Sequence, residues 1–139
     1  MNLSSLSKAL ILLLIACDPK ANGISKSDDI TVAVYYFPNY HEDSRNAAYH
    51  GSGWTEWELV KSARPRFENH HQPNIPAWGY TDEADPVQMA QKINAAVNHG
   101  IDAFIFDWYM YEDGPFLNRC IDQGFLKADN CERIKFGLM

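Results

Sequence analysis

The chain has 139 residues, room for one domain at most, with 46% hydrophobic residues and no internal repeat or low-complexity tract. A net charge of −6 and a pI near 5.2 leave no basic footprint for a phosphate backbone, so nucleic acid is excluded as an expected partner. Aromatic residues make up 13% of the chain and cluster, which makes an aromatic-lined surface the feature to explain.

Residues 1–16 read as a signal peptide and not as fold. Lys8 precedes the apolar run Ala9–Ala16, which is too short for the roughly 20 residues that a membrane span needs. Leu14-Ile15-Ala16-Cys17 is similar to a bacterial lipobox, where cleavage before the cysteine precedes lipidation, here of Cys17. An ordinary signal peptide with an incidental cysteine is the alternative. On the lipobox reading, residues 17–29 are a polar tether. The chain is then exported to the bacterial cell envelope, facing the periplasm or the cell surface, and meets the membrane through its lipid anchor.

Residues 30–139 read as folded sequence. "ITVAVYYF" (30–37) is β-branched and aromatic and stopped by Pro38, as suits a strand buried on both faces of a parallel sheet. "DPVQMAQKINAAVNHG" (85–100) has the marks of a helix. Asp85 is the N-cap, Pro86 occupies the first helical position, Gln88 completes a capping box and Gly100 is the stop. Val87, Ala90, Ile93 and Val97 mark its inner face. "IDAFIFDWY" (101–109) is a second buried strand, "GPFLNRCIDQGFL" (114–126) a second helix opened by Pro115, and "RIKFGLM" (133–139) a third strand. The order β-α-β-α-β demands right-handed crossovers and a parallel sheet.

The dinucleotide-type glycine fingerprint is absent after the first strand, where "YYFPNYHED" has no glycine. In its place stands a connection of about 45 residues, against 2–6 for an ordinary βα loop. Barrel enzymes elaborate that end of the strand and place their active sites there, so the expected fold class is α/β, the N-terminal part of a (β/α)8 barrel with a long first loop. The chain holds about three strands of a barrel that needs eight over roughly 250 residues, so residues 30–139 read as an incomplete barrel domain and, alone, as an inactive one.

Within the long loop, "GSGWTEWELV" (51–60) reads as a capped helix: Thr55 the N-cap, Glu58 its box partner, Trp54 and Leu59 a staple. That leaves Glu56 and Trp57 unexplained, and a stapled helix would hold them rigidly at a cleft. "RFENHHQPNIPAWGY" (66–80) adds His70, His71, Gln72, Trp78 and Tyr80. Adjacent histidines are poor metal spacing, so no metal and no cofactor are expected. Tyr36 closes the first strand, and Asp107 and Trp108 close the second. Asp107 fits a general acid or base, a hydrogen bonder to ligand hydroxyls, or a partner for a backbone group. Cys120 and Cys131 either pair, closing a short loop, or remain thiols. Flat aromatic faces beside carboxylate, amide and imidazole groups suit a sugar ring better than a phosphorylated metabolite.

"GWTEWELVKSARPRFENHHQPNIPAWGYTDEADP", followed by "NHGIDAFIFDWYMYEDG", resembles the WbsX-like proteins, a branch related to glycoside hydrolase family 99. The likeness runs from about Val32 to the last residue. It implies a (β/α)8 barrel, a glycan substrate and cleavage of glycosidic bonds. Glycosyltransfer, a label attached to WbsX-like proteins, and non-catalytic glycan binding are the rivals. It also implies that the catalytic carboxylates lie on later strands than these. Within the chain only Glu56 and Asp107 qualify. What carries over is sugar-binding scaffolding: Tyr36, Trp54, Glu56, Trp57, His70, Gln72, Asp107 and Trp108.

Overall fold

The computed structural model describes residues 30–139. The signal peptide, the tether and Cys17 lie outside the described residues. Three parallel strands, β1 (Ala33–Tyr36), β2 (Ala103–Phe106) and β5 (Lys135–Leu138), form a sheet in the order β1-β2-β5. Ala33 pairs with Ala103, and Ala103 with Lys135. The fold is therefore α/β with a parallel sheet.

The first crossover runs through α1 (Ser44–His50), α2 (Trp57–Ser62) and α3 (Pro86–Asn98). Helix α3 begins where its sequence dictates. The Asp85 carboxylate accepts from Val87 N at 2.8 Å and from Gln88 Nε2 at 2.7 Å. Gln88 Oε1 then accepts from the Asp82 amide, one turn further back than an ordinary capping box. The inner face is Met89, Ile93 and Ala96, with Ala90 and Val97 packed beside them. Val87, expected inside, is 77% exposed, because helical spacing sets it on nearly the opposite side of the helix from the buried Met89 and Ala96.

The second crossover differs from expectation. Residues 114–126 are not one helix. Strands β3 (Tyr109–Tyr111) and β4 (Gly114–Phe116) form an antiparallel hairpin, with Tyr111 opposite Gly114 across the Glu112-Asp113 turn. Pro115 sits in a short edge strand, where a missing N–H costs nothing. Leu117 then takes φ +66°, which ends the strand. Helical turns begin only at Asn118, with a π-helical turn Cys120–Gly124 and 3₁₀ turns Phe125–Lys127 and Cys131–Arg133.

One core holds these parts together: Met89, Ile93, Phe104, Phe106, Ile121, Phe125 and Ile134. Phe106 touches Phe104, Phe125 and Phe136 at centroid separations of 5.2–6.4 Å. Both crossovers thus cover the same face of the sheet. The burial of β1 on both faces is not observed among the described residues: Val34 and Tyr36 pack inward, while Tyr35 is 79% exposed. Gly124 matters to the site. A Cβ there would stand 1.9 Å from the Glu83 carbonyl oxygen, so only glycine lets that turn lie against the Glu83 backbone. Cys120 and Cys131 are free thiols, and burial pushes the Cys120 thiol pKa up. Among the described residues no helix is long and apolar enough to cross a membrane.

Candidate functional site at the carboxyl ends of the strands

Pro38 stops β1, and the chain then turns inward instead of into solvent. Asn39, 6% exposed, donates from Nδ2 to Glu56 Oε2 at 2.8 Å and accepts at Oδ1 from Asn46 Nδ2 at 2.6 Å. Its carbonyl accepts from Glu56 N at 3.2 Å. Asn46 rides on α1, which Asp43 caps through Arg45 N at 2.8 Å. Glu56 is therefore pinned to the end of β1 by backbone and side chain, and is half-buried.

Trp57 opens α2. Thr55 Oγ1 accepts from Trp57 N at 3.3 Å, but the N-cap falls one residue later than its sequence suggests, on Glu56, whose side chain makes no cap bond. The rest of the expected motif is absent. Glu58 pairs with Lys61 at 2.7 Å, Leu59 is exposed, and Trp54 stacks on His50 at 4.2 Å. The Trp57 ring packs on Tyr40 at 4.3 Å and edge-on to Tyr80 at 5.4 Å, and Nε1 donates to Thr81 O at 2.7 Å. Aromatic contacts of this kind stabilise by about 0.5–1.5 kcal/mol each, and the indole bond fixes the ring's rotation.

Behind this wall lies a group that sequence reasoning misses. Glu83 is 2% exposed and accepts from Tyr36 Oη at 2.6 Å, Lys92 Nζ at 2.7 Å and Tyr40 N at 3.0 Å. A buried carboxylate is tolerated where charge and hydrogen bonds both meet it. Burial first, then the Glu83 charge, hold the Tyr36 hydroxyl well above its ordinary pKa. Tyr36 is thus committed to Glu83 and to Phe104 and Phe106, whose rings lie 4.9 and 5.0 Å away. His41 is a second residue missed: it is 1% exposed, and neither ring nitrogen has a protein partner. Burial lowers its pKa, outweighing the raising effect of nearby Glu83.

Asp107 follows β2 directly. Its N–H donates to Tyr36 O at 3.0 Å, and its carboxylate accepts from Tyr109 Oη at 2.9 Å. Trp108 packs partly against the hydrophobic core, and its N–H donates to Met139 O at 3.2 Å. Trp57 and Trp108 accordingly sit in different surroundings, the first at the loop wall and the second over the core. His70 stacks on Phe67 at 4.4 Å, accepts at Nδ1 from Arg66 N at 3.2 Å, and has Nε2 3.3 Å from Gln72 Nε2. Among the described residues no three His, Cys, Asp or Glu side chains converge to hold a metal. Trp57 borders two depressions. One, of about 270 Å³, is lined by His41, Thr55, Tyr80, Thr81 and Asp82 among others. The other, of about 750 Å³, runs between β1 and α3 past Trp78, Glu83 and Lys92.

This is an α/β protein whose polar and aromatic side chains gather at the carboxyl ends of a parallel sheet. A family model described as Glycosyltransferase WbsX matches residues 32–139, and the chain belongs to that family. It is 35% identical over 94 residues to the uncharacterised protein WxcX of Xanthomonas campestris pv. campestris strain B100, and equally to that of a second strain of the pathovar. The match covers 67% of this chain and 14% of WxcX, so the chain spans a small part of the curated relatives it matches. No solved structure matches it.

Proposed function

We propose that this chain belongs to a carbohydrate-active protein that cleaves glycosidic bonds of a glycan. The observation that carries the reading is the pairing of Glu56 with Trp57. A carboxylate fixed by Asn39 adjoins an indole fixed by Tyr40, Tyr80 and Thr81, both set against the end of β1. A pyranose needs this combination, an apolar face beside directional acceptors. Membership of the WbsX family supports it.

The strand order β1-β2-β5, with both crossovers on one face, supports a (β/α)8 barrel, since doubly wound sheets place helices on both faces. In such a barrel Glu56 and Asp107 stand at the active end. Hydrolysis uses two carboxyl groups about 5–9.5 Å apart, and in this reading that pair lies on later strands, with Tyr36, Trp54, Glu56, His70, Gln72, Asp107 and Trp108 supporting the sugar-binding surface. Export and lipid anchoring through Cys17 complete the proposal, resting on the sequence of residues 1–17 alone.

Transfer of a sugar from an activated donor is the second reading, favoured by the description of the family model. Incubating the intact protein with polysaccharides and, separately, with nucleotide-sugar donors tests the choice. Release of reducing ends from polysaccharide alone is expected. Donor-dependent elongation without such release would establish transfer instead.

A further inference from the structure

We infer that the pocket of about 270 Å³ beside Trp57 is a subsite for one neutral or amino-bearing sugar ring and that it rejects acidic sugars. This rests on the glycan reading above and adds the charge class of the ligand. The walls are Tyr40, Trp57 and Tyr80, three rings already locked against one another. They offer apolar area to the C–H face of a pyranose.

The charges lining the same space are unequal. Glu42, Glu58 and Asp82 face one cation, Lys61, and Glu58 already holds Lys61 at 2.7 Å. Of the lining carboxylates, Glu42 and Asp82 have no ion-pair partner among the described residues, while the nearby Arg119 guanidinium donates to the Glu42 backbone carbonyl. Each is held by a backbone N–H on one oxygen, Glu42 by Gly53 at 3.0 Å and Asp82 by Ala84 at 2.8 Å. Their remaining lone pairs accept from hydroxyl or ammonium groups. A uronate, or the diphosphate of an activated donor, would bring like charge against them and is disfavoured.

His41 supplies the independent sign of a ligand. It lines this pocket, is 1% exposed, and has neither ring nitrogen satisfied by protein. Buried polar groups in folded proteins rarely lack partners, and leaving one unmet is costly. A neutral imidazole presents one donor and one acceptor on diverging edges, and a sugar hydroxyl, itself donor and acceptor, can meet either nitrogen. A carboxylate placed there would offer acceptors only and leave the imidazole N–H as the one group it could meet.

The test applies the intact protein to an array of hexose-terminated oligosaccharides in matched neutral, amino and uronic-acid forms. Retention of neutral and amino forms and not of uronic ones is expected. The double variant Glu42→Gln/Asp82→Asn keeps both backbone acceptors on exposed residues and should admit uronic forms. His41→Ala should weaken retained glycans by about two- to tenfold, and His41→Gln, which restores a donor and an acceptor, should recover part of that loss. Equal retention of uronic and neutral forms by the wild type would overturn the subsite and leave the glycan reading standing. So would indifference to both the acidic and the His41 substitutions. Retention of no glycan at all would overturn the glycan reading and the subsite with it.

Discussion

Helix α3 and the long loop before it are neighbours in the chain but are held by different physics. Helix α3 is held by periodic apolar burial, Met89, Ile93 and Ala96 against Phe104 and Phe106, and by a cap made from residues within three positions of one another. The loop is organised by polar centres that reach far along the chain. Asn39 meets Glu56, and Glu83 gathers Tyr36, Tyr40 and Lys92. The site is built almost wholly from the second kind of contact. Apolar packing supplies stability, and the buried polar groups set where the loop side chains stand.

The largest test of this contrast is Phe106→Ala. Phe106 is fully buried among three other phenylalanine rings, so its loss should cost about 3–5 kcal/mol of global stability by chemical denaturation. A loss near zero would place the core elsewhere. Glu83→Ala should act differently. It strands Lys92 without its carboxylate partner, for a cost of up to about 3–5 kcal/mol. Its mark is local: faster amide exchange at Tyr40 and Trp57, whose order depends on Glu83, with α3 the less affected. Uniform loss of protection across α3 and the loop would erase the distinction between the two regions.

Asp85→Ala removes the α3 cap and should cost about 1 kcal/mol, seen as a small fall in Tm with glycan binding unchanged. The smallest effect is that of pH. Burial depresses the His41 pKa below its ordinary value of 6.5, against the opposing charges of Glu83, Asp43 and Asp82 and with help from Arg119. Below about pH 6.5 the unfolded chain binds a proton that the folded one resists, so this part of the stability is present at neutral pH and fades as pH falls. His41→Gln should flatten the fall between pH 7 and 5, and an unchanged profile would show that other groups govern it.

These two kinds of contact also explain what was legible in the sequence. Asp85, Pro86, Ile93 and Gly100 announce α3 because caps and helical spacing are local signals. The three parallel strands are legible because they are apolar runs between turns. The hairpin Tyr109–Phe116 carries a signal too, alternating aromatics about "EDG", but Pro115 reads equally as the start of a helix. Glu83, Asn39 and His41 carry no such mark. A buried glutamate looks like any surface glutamate until its three donors, up to 47 positions away, are brought to it. Thr55 shows the same limit from the other side. Its bond to the Trp57 amide is legible, yet the cap falls on Glu56, and Trp54 and Glu58 choose His50 and Lys61, nearby partners that compete with the staple and the box.

The central claim is that Trp57, held by Tyr40, Tyr80 and Thr81, forms the wall against which a sugar packs. Calorimetric titration of the intact protein with a glycan it retains, compared with Trp57→Ala, tests it most directly. Burial of an aromatic anchor contributes about 1.5–3 kcal/mol, so the variant should bind roughly 10- to 150-fold more weakly while circular dichroism shows the fold retained. A folded Trp57→Ala protein with unchanged affinity would contradict the account and assign the ring to loop packing alone.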